Sequence, residues 1–241
     1  MPSPKPFNPR APRWQRAFPA AQRGAYLALQ RDLEKTAVEI SFLTPALSNA
    51  VTTVEHLEGV IFEGLTEGMR KIIPAGRLDA IRDEVYDRMR QRHAQLMRRL
   101  AARQVHVRVL FLKDHLARDL RAAPELALPR YRQLLKLAEE GVLSFRLIPR
   151  LNASLLEKAG GSFALIYNLR RGSAEADVAV ASAAQATSPR LTGRQLVAQN
   201  TPEALSRVAQ FERYWNAALG AAASRALVET EVERSASRSR R

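Results

Sequence analysis

The sequence predicts an α/β protein, with a mainly helical region over residues 23–103 and an α/β domain over residues 104–220. Three observations carry this expectation. A long apolar stripe at helical spacing ends near residue 103. Beyond it, short β-branched runs alternate with helical stretches. The 241 residues are 46% hydrophobic and 26% charged, the balance of a folded chain with material for a sizeable core.

Residues 1–22 read as a flexible, basic, Pro-rich arm with no apolar stretch of the kind a secretory signal needs; Trp14 and Phe18 among its arginines either pin it to the domain surface, the favoured reading, or stack on bases. From Ala21 to about Lys35, Tyr26, Leu29 and Leu33 follow helical spacing. Val38, Ile40 and Phe42 then alternate as in a strand, ended by Thr44-Pro45. Thr44 as N-cap and Pro45 in the first turn would also open a helix over residues 48–69. The strongest helix covers about residues 76–103, where Leu78, Ile81, Val85, Met89, Leu96 and Leu100 share one face. His93 sits at the edge of that face and reads as a core-edge residue. VHVRVLFL (105–112) has the texture of a strand buried on both sides. A helix is expected after Pro129, closed by Gly141 as its C-terminal cap, and a strand over residues 142–149. Short strands are expected at 163–168 and 177–182. A last helix opens at Thr201-Pro202 and carries Leu205, Val208, Phe211, Trp215 and Leu219. Residues 221–241 read as a Ser/Arg-rich basic tail.

The chain has no cysteine, which excludes disulfides, thiolate metal sites and Cys nucleophiles and fits a reducing cytoplasm, its expected location. No apolar run approaches the ~20 residues that span a bilayer. No phosphate loop, dinucleotide fingerprint, zinc-helix pattern or nucleophile elbow occurs, and Gly160-Gly161 is an isolated pair. We therefore expect no catalytic residue, metal or cofactor.

Charge is the informative feature. The 38 basic and 24 acidic residues give a formal charge of +14. It is segregated: +6 over residues 1–31, −6 over 32–87, +10 over 88–150 and +4 over 151–241. Such polarity attracts polyanions. The expected partner is nucleic acid, DNA ahead of RNA, bound mainly through phosphates. The candidate contacts are Arg88, Arg92, Arg98, Arg99, Arg103 and Arg108, with Arg10, Arg13 and Arg16 from the arm. Arg88, Arg92 and Arg99 project within about 40° of one another on a helix, a row able to follow a phosphate backbone. Arginines late in a helix also suit its macrodipole, each favourable charge contributing ~0.3–1 kcal/mol, so both readings stand.

From residue 95 the order of segments resembles a half-domain of the phospholipase D superfamily. QLMRRLAARQVHVRVLFL is a helix running into a strand, and YRQLLKLAEEGVLSFRLIP a second such pair. FALIYN and DVAVAS are strands, and RVAQFERYWNAAL a closing aromatic helix. The resemblance covers about half the chain and implies a mixed sheet flanked by helices. Members of that superfamily cut or transfer phosphodiesters through H-x-K-x4-D, two copies meeting across an internal repeat or a homodimer. With FALIYN as the strand that carries the end of the motif, its three positions fall on Gly161, Phe163 and Asn168. None offers the nucleophile, cation or carboxylate required. The resemblance thus implies a scaffold without catalysis that serves in binding. Two alternatives remain open. One is a self-associating assembly module in which the acidic stretch 32–87 meets the basic stretch 88–150. The other is a phosphodiesterase of altered chemistry using His93, His106 or His115. Attachment to a membrane surface through Trp14 and Phe18 ranks behind both.

Overall fold

Val107, Val109 and Phe111 point to one side of their strand and Leu110 to the other, and all four are completely buried. Side chains alternate along a strand, so this segment must have cover on both faces. The computed structural model, which describes residues 14–18, 23–44, 47, 51–56, 75–149, 163–169, 178–183 and 195–239, supplies that cover. Strands β1 (Trp14–Phe18), β2 (Glu39–Leu43), β3 (His106–Leu112), β4 (Leu143–Ile148), β5 (Phe163–Asn168), β6 (Val178–Ala183) and β7 (Gln195–Gln199) form one sheet. Their order is β1-β7-β6-β5-β2-β3-β4. β2, β3 and β4 run parallel, and every other pairing is antiparallel. The class is mixed α/β.

The helices are α1 (Arg23–Thr36), the single turn α2 (Val54–His56), α3 (Ala75–Ala101), α4 (Lys113–Ala122), α5 (Pro124–Glu139), α6 (Pro202–Ala217) and α7 (Ala221–Ser239). One sheet face carries Ile40, Phe42, Val107, Val109, Phe111, Phe145 and Leu147. Onto it pack Leu33 of α1, Leu96 and Leu100 of α3, Leu116 of α4, Leu134 of α5 and Val228 of α7. The opposite face, with Leu43, Leu110, Ile148 and Ile166, is covered by Ala204 and Phe211 of α6. Burial of an aliphatic side chain stabilises by about 1.5–3 kcal/mol, so these two clusters dominate the favourable terms.

Local signals explain several boundaries. Thr201 Oγ1 accepts from the Ala204 N–H at 3.2 Å, capping α6 ahead of Pro202. Gly141 takes a left-handed φ of 69° just past α5, where a side chain would be strained. β4 is an edge strand, yet Leu147 donates to Ser224 Oγ at 3.1 Å and accepts from the Leu219 N–H at 3.0 Å. The junction of α6 and α7 therefore occupies backbone groups that would otherwise invite another strand.

Four expectations need correction. Residues 14–18, expected as part of a flexible arm pinned by its aromatics, form a regular edge strand paired with β7. Residue 103 does not separate a helical region from the sheet, because β2 lies between β3 and β5. The helix expected after Pro129 begins at Pro124, with Pro129 exposed inside it, and α4 precedes it. The supposed tail at 221–239 is α7. Its inward stripe is Ser224, Val228, Val232 and Ser235, all buried. Half of that stripe is serine, so the apolar signal in the sequence is weak even though the 3.6-residue period is kept. The helix expected over 48–69 lies mostly outside the described residues, as do the arm before Trp14 and the final two arginines.

Candidate nucleic-acid interface

Three of the predicted contacts, Arg92, Arg99 and Arg108, turn inward. Arg92 on α3 donates through Nε to both carboxylate oxygens of Glu34 on α1, at 2.8 Å each, and through Nη2 to Oε1. The Glu34 side chain is only 9% exposed, and the buried Tyr167 hydroxyl also donates to it at 3.4 Å. Arg99 donates to the backbone carbonyls of Glu34 and, at 2.6 Å, of Ala37. These carbonyls sit at the C-terminal end of α1, where helical partners run out and partial negative charge collects, so Arg99 acts as its cap.

Arg108 on β3 packs against the stacked Phe211 and Trp215 rings of α6. Its guanidinium carbon is 4.8 Å from the Phe211 ring centre and 4.4 Å from that of Trp215. Its two terminal nitrogens fork onto Glu212 at 2.6 and 3.1 Å, and Glu39 stands 3.7 Å away. Arg146 reaches the same tryptophan from β4, 4.9 Å from the ring centre, and donates to the Trp215 carbonyl at 2.7 Å. Cation–π contact and bidentate pairing hold α6 to the sheet. Any phosphate recruited to Arg108 would have to displace Glu212.

The histidines are likewise taken up by the fold. His93 is buried and donates from Nε2 to the Thr52 carbonyl at 2.6 Å. His106 Nε2 meets Ser144 Oγ at 3.0 Å. Burial pushes its pKa below the ordinary histidine value, with Arg108 adding to the effect and Glu39 opposing it. His115 accepts from Arg118, and burial followed by that arginine holds its pKa down. His56 donates to the Leu126 carbonyl at 3.4 Å, and burial, then Arg130, bring its pKa down to about 4. Among the described residues no group of three His, Asp or Glu could hold a metal ion. None of the described helices is long and apolar enough to cross a membrane.

Arg98 and Arg103 face the other way. Arg98 is exposed and uses one N–H on the Ala94 carbonyl of its own helix, at 3.4 Å. Arg103 is exposed, donates to the Glu140 carbonyl at 3.2 Å and holds a left-handed φ of 52°. Residue identity alone does not reveal three further outward cations, Arg121, Arg132 and Arg238, or Arg90 on α3. These six are exposed and make no ion pair among the described residues. All six lie on or beside α3, α4, α5 and α7, helices on one side of the sheet, where Arg31 of α1 and Arg118 of α4 are exposed too; Arg213 of α6 is exposed on the opposite side. Arg88 lies on α3 and Arg16 on β1, but the placement of their side chains is not described, and Arg10 and Arg13 fall outside the described residues. The predicted row of Arg88, Arg92 and Arg99 is thus interrupted by two side chains bound to α1. No family model, curated protein or solved structure matches the chain.

Proposed function

We propose that this chain is a non-catalytic nucleic-acid-binding protein on a phospholipase D-like scaffold, acting through arginine–phosphate contacts in a reducing cytoplasm. The observation that carries this reading is a group of six exposed arginines on one helical layer that make no ion pair among the described residues. A guanidinium fork matches phosphate oxygens and stays charged at every physiological pH. The scaffold reading draws support from the mixed sheet and its flanking helices, met in the order the resemblance implies: α3, β3, α5, β4, β5, β6, α6. Phe163 and Asn168 bound β5, and neither can supply the superfamily's chemistry.

Arg103 adds weight. A non-glycine residue in the left-handed region costs ~1–2 kcal/mol, and glycine would remove that strain. The chain instead keeps a long cation there, pointing to solvent.

The test is fluorescence anisotropy with labelled duplex DNA, single-stranded DNA and RNA between about 50 and 200 mM salt. Binding should weaken along a log–log line with a slope near −0.9 per phosphate contacted on the duplex, and the nucleic acid should be recovered uncut. Affinity independent of salt, or cleaved product, would refute the proposal.

A further inference from the structure

α4 and α7 lie side by side with a cavity of about 230 Å³ between them, lined by Ala117, Leu120, Arg121, Glu231, Arg234, Ser235 and Arg238. Clefts that enclose a drug-sized ligand measure ~300–1,000 Å³, so this smaller, partly open space has room for a phosphate group together with adjoining backbone atoms. Its floor is already satisfied, since Ser235 Oγ donates to the Leu120 carbonyl at 3.1 Å. Its rim is cationic. Arg234 and Arg238 stand one helical turn apart on α7 and share a face. Arg234 is held by Glu231, its Nη1 donating to Oε1 at 2.6 Å. That pair cancels, which leaves Arg121 and Arg238 to set the charge of the cavity.

Both have donors to spare. A guanidinium carries five N–H groups in a rigid fork. Arg121 spends its Nε on the Ala117 carbonyl at 2.9 Å. Its terminal nitrogens, and all of Arg238, find no acceptor among the described residues. Two guanidinium forks lining one cavity suit a tetrahedral oxyanion, whose oxygens can receive donors from two directions.

We propose that the α4–α7 cavity holds one phosphate group of a nucleic-acid backbone, clasped by Arg121 and Arg238, with Arg234 kept at the rim by Glu231. This rests on the nucleic-acid reading above and assigns it a discrete subsite. The phosphate is bound and not transferred.

The test compares Arg121→Gln, Arg238→Gln, the double variant and Arg238→Lys with the unaltered chain on labelled duplex DNA. If both forks hold the same phosphate, each Gln variant should lose about tenfold in affinity and lower the salt slope by about one. The double variant should lose little more, because the pair acts as a unit. Arg238→Lys should recover part of the affinity but not all, since lysine keeps the charge and loses the fork. Both side chains are exposed, so unfolding midpoints should not move, and each single variant provides its own folding control. A parallel NMR titration with inorganic phosphate follows the arginine Nε–H signals. Unchanged slopes in all variants, with the unaltered chain still binding DNA, would overturn the subsite and leave the wider reading standing. If DNA does not bind while phosphate shifts the Arg121 and Arg238 signals saturably, the nucleic-acid reading falls and an oxyanion site survives. Neither response would overturn both.

Discussion

Arg98 and Arg99 are neighbours in sequence and opposites in surroundings. A helix turns 100° per residue, so one of two adjacent side chains can face a packed neighbour while the other faces solvent. Arg99 reaches the carbonyls that end α1, and Arg98 reaches only its own helix. The same division runs through the basic region as a whole. Arg92, Arg99, Arg108 and Arg146 are fastenings between elements, whereas Arg90, Arg98, Arg121, Arg132 and Arg238 stand outside; Arg103 is exposed and also bonded to the Glu140 carbonyl past α5. A single net charge therefore conceals two populations, and only the outer one is available to an anionic partner.

Mutagenesis should separate the two, and the inner set should give the largest stability effects. Arg92→Ala leaves the nearly buried Glu34 carboxylate with the Tyr167 hydroxyl alone as a hydrogen-bond donor among the described side chains. Breaking a buried pair from one side costs ~3–5 kcal/mol, and because Arg92 is partly exposed we expect about 3. Urea unfolding should show a lower midpoint with an unchanged m-value.

Next in size is a pH effect confined to the interior. The folded pKa of His56 is about 4, below the ordinary 6.5, so between these values the unfolded chain takes up a proton that the folded chain refuses. Its contribution to stability is complete above about pH 6.5 and is lost progressively as pH falls to about 4. At 1.36 kcal/mol per unit the loss reaches roughly 3 kcal/mol. His106 and His115, also shifted downward, add to the same slope. His56→Gln should flatten the curve without abolishing it. DNA binding by the outer arginines should stay level between about pH 6.5 and 8, because guanidinium does not titrate there.

Arg103→Gly sets stability against function at one position. Relief of the left-handed backbone should stabilise the fold by about 1 kcal/mol while binding weakens. Stabilisation with undiminished binding would remove Arg103 from the interface. The smallest stability effect belongs to Arg98→Ala, within about 0.5 kcal/mol of the parent, with a lower affinity for DNA as its only clear consequence.

Much of the fold is legible in the sequence wherever packing repeats a simple period. The α3 stripe through Leu96 and Leu100, the β3 run from His106 to Leu112 and the Thr201-Pro202 cap all lie where pattern and capping chemistry put them. The two misread ends failed for a common reason. Trp14–Phe18 gains its strand character from pairing with β7, a partner about 180 residues away that periodicity does not register. α7 hides behind serines and arginines because half of its inward stripe is Ser224 and Ser235, each satisfied by a backbone partner. The site was legible as a charge total and as a region. Its membership was not, because the rotation that sends Arg92 and Arg99 to Glu34 depends on where α1 packs against α3. Arg238 reads in the sequence as part of a basic tail, and only the packing of α7 beside α4 shows where it stands.

The most direct measurement is DNA affinity at about 50 mM salt for the unaltered chain and for a variant with Arg90, Arg98, Arg103 and Arg132 changed to Glu. The account predicts a loss of at least a hundredfold, a shallower salt dependence and an unfolding midpoint close to the parent's. Equal affinity in the two proteins, both folded, would contradict it.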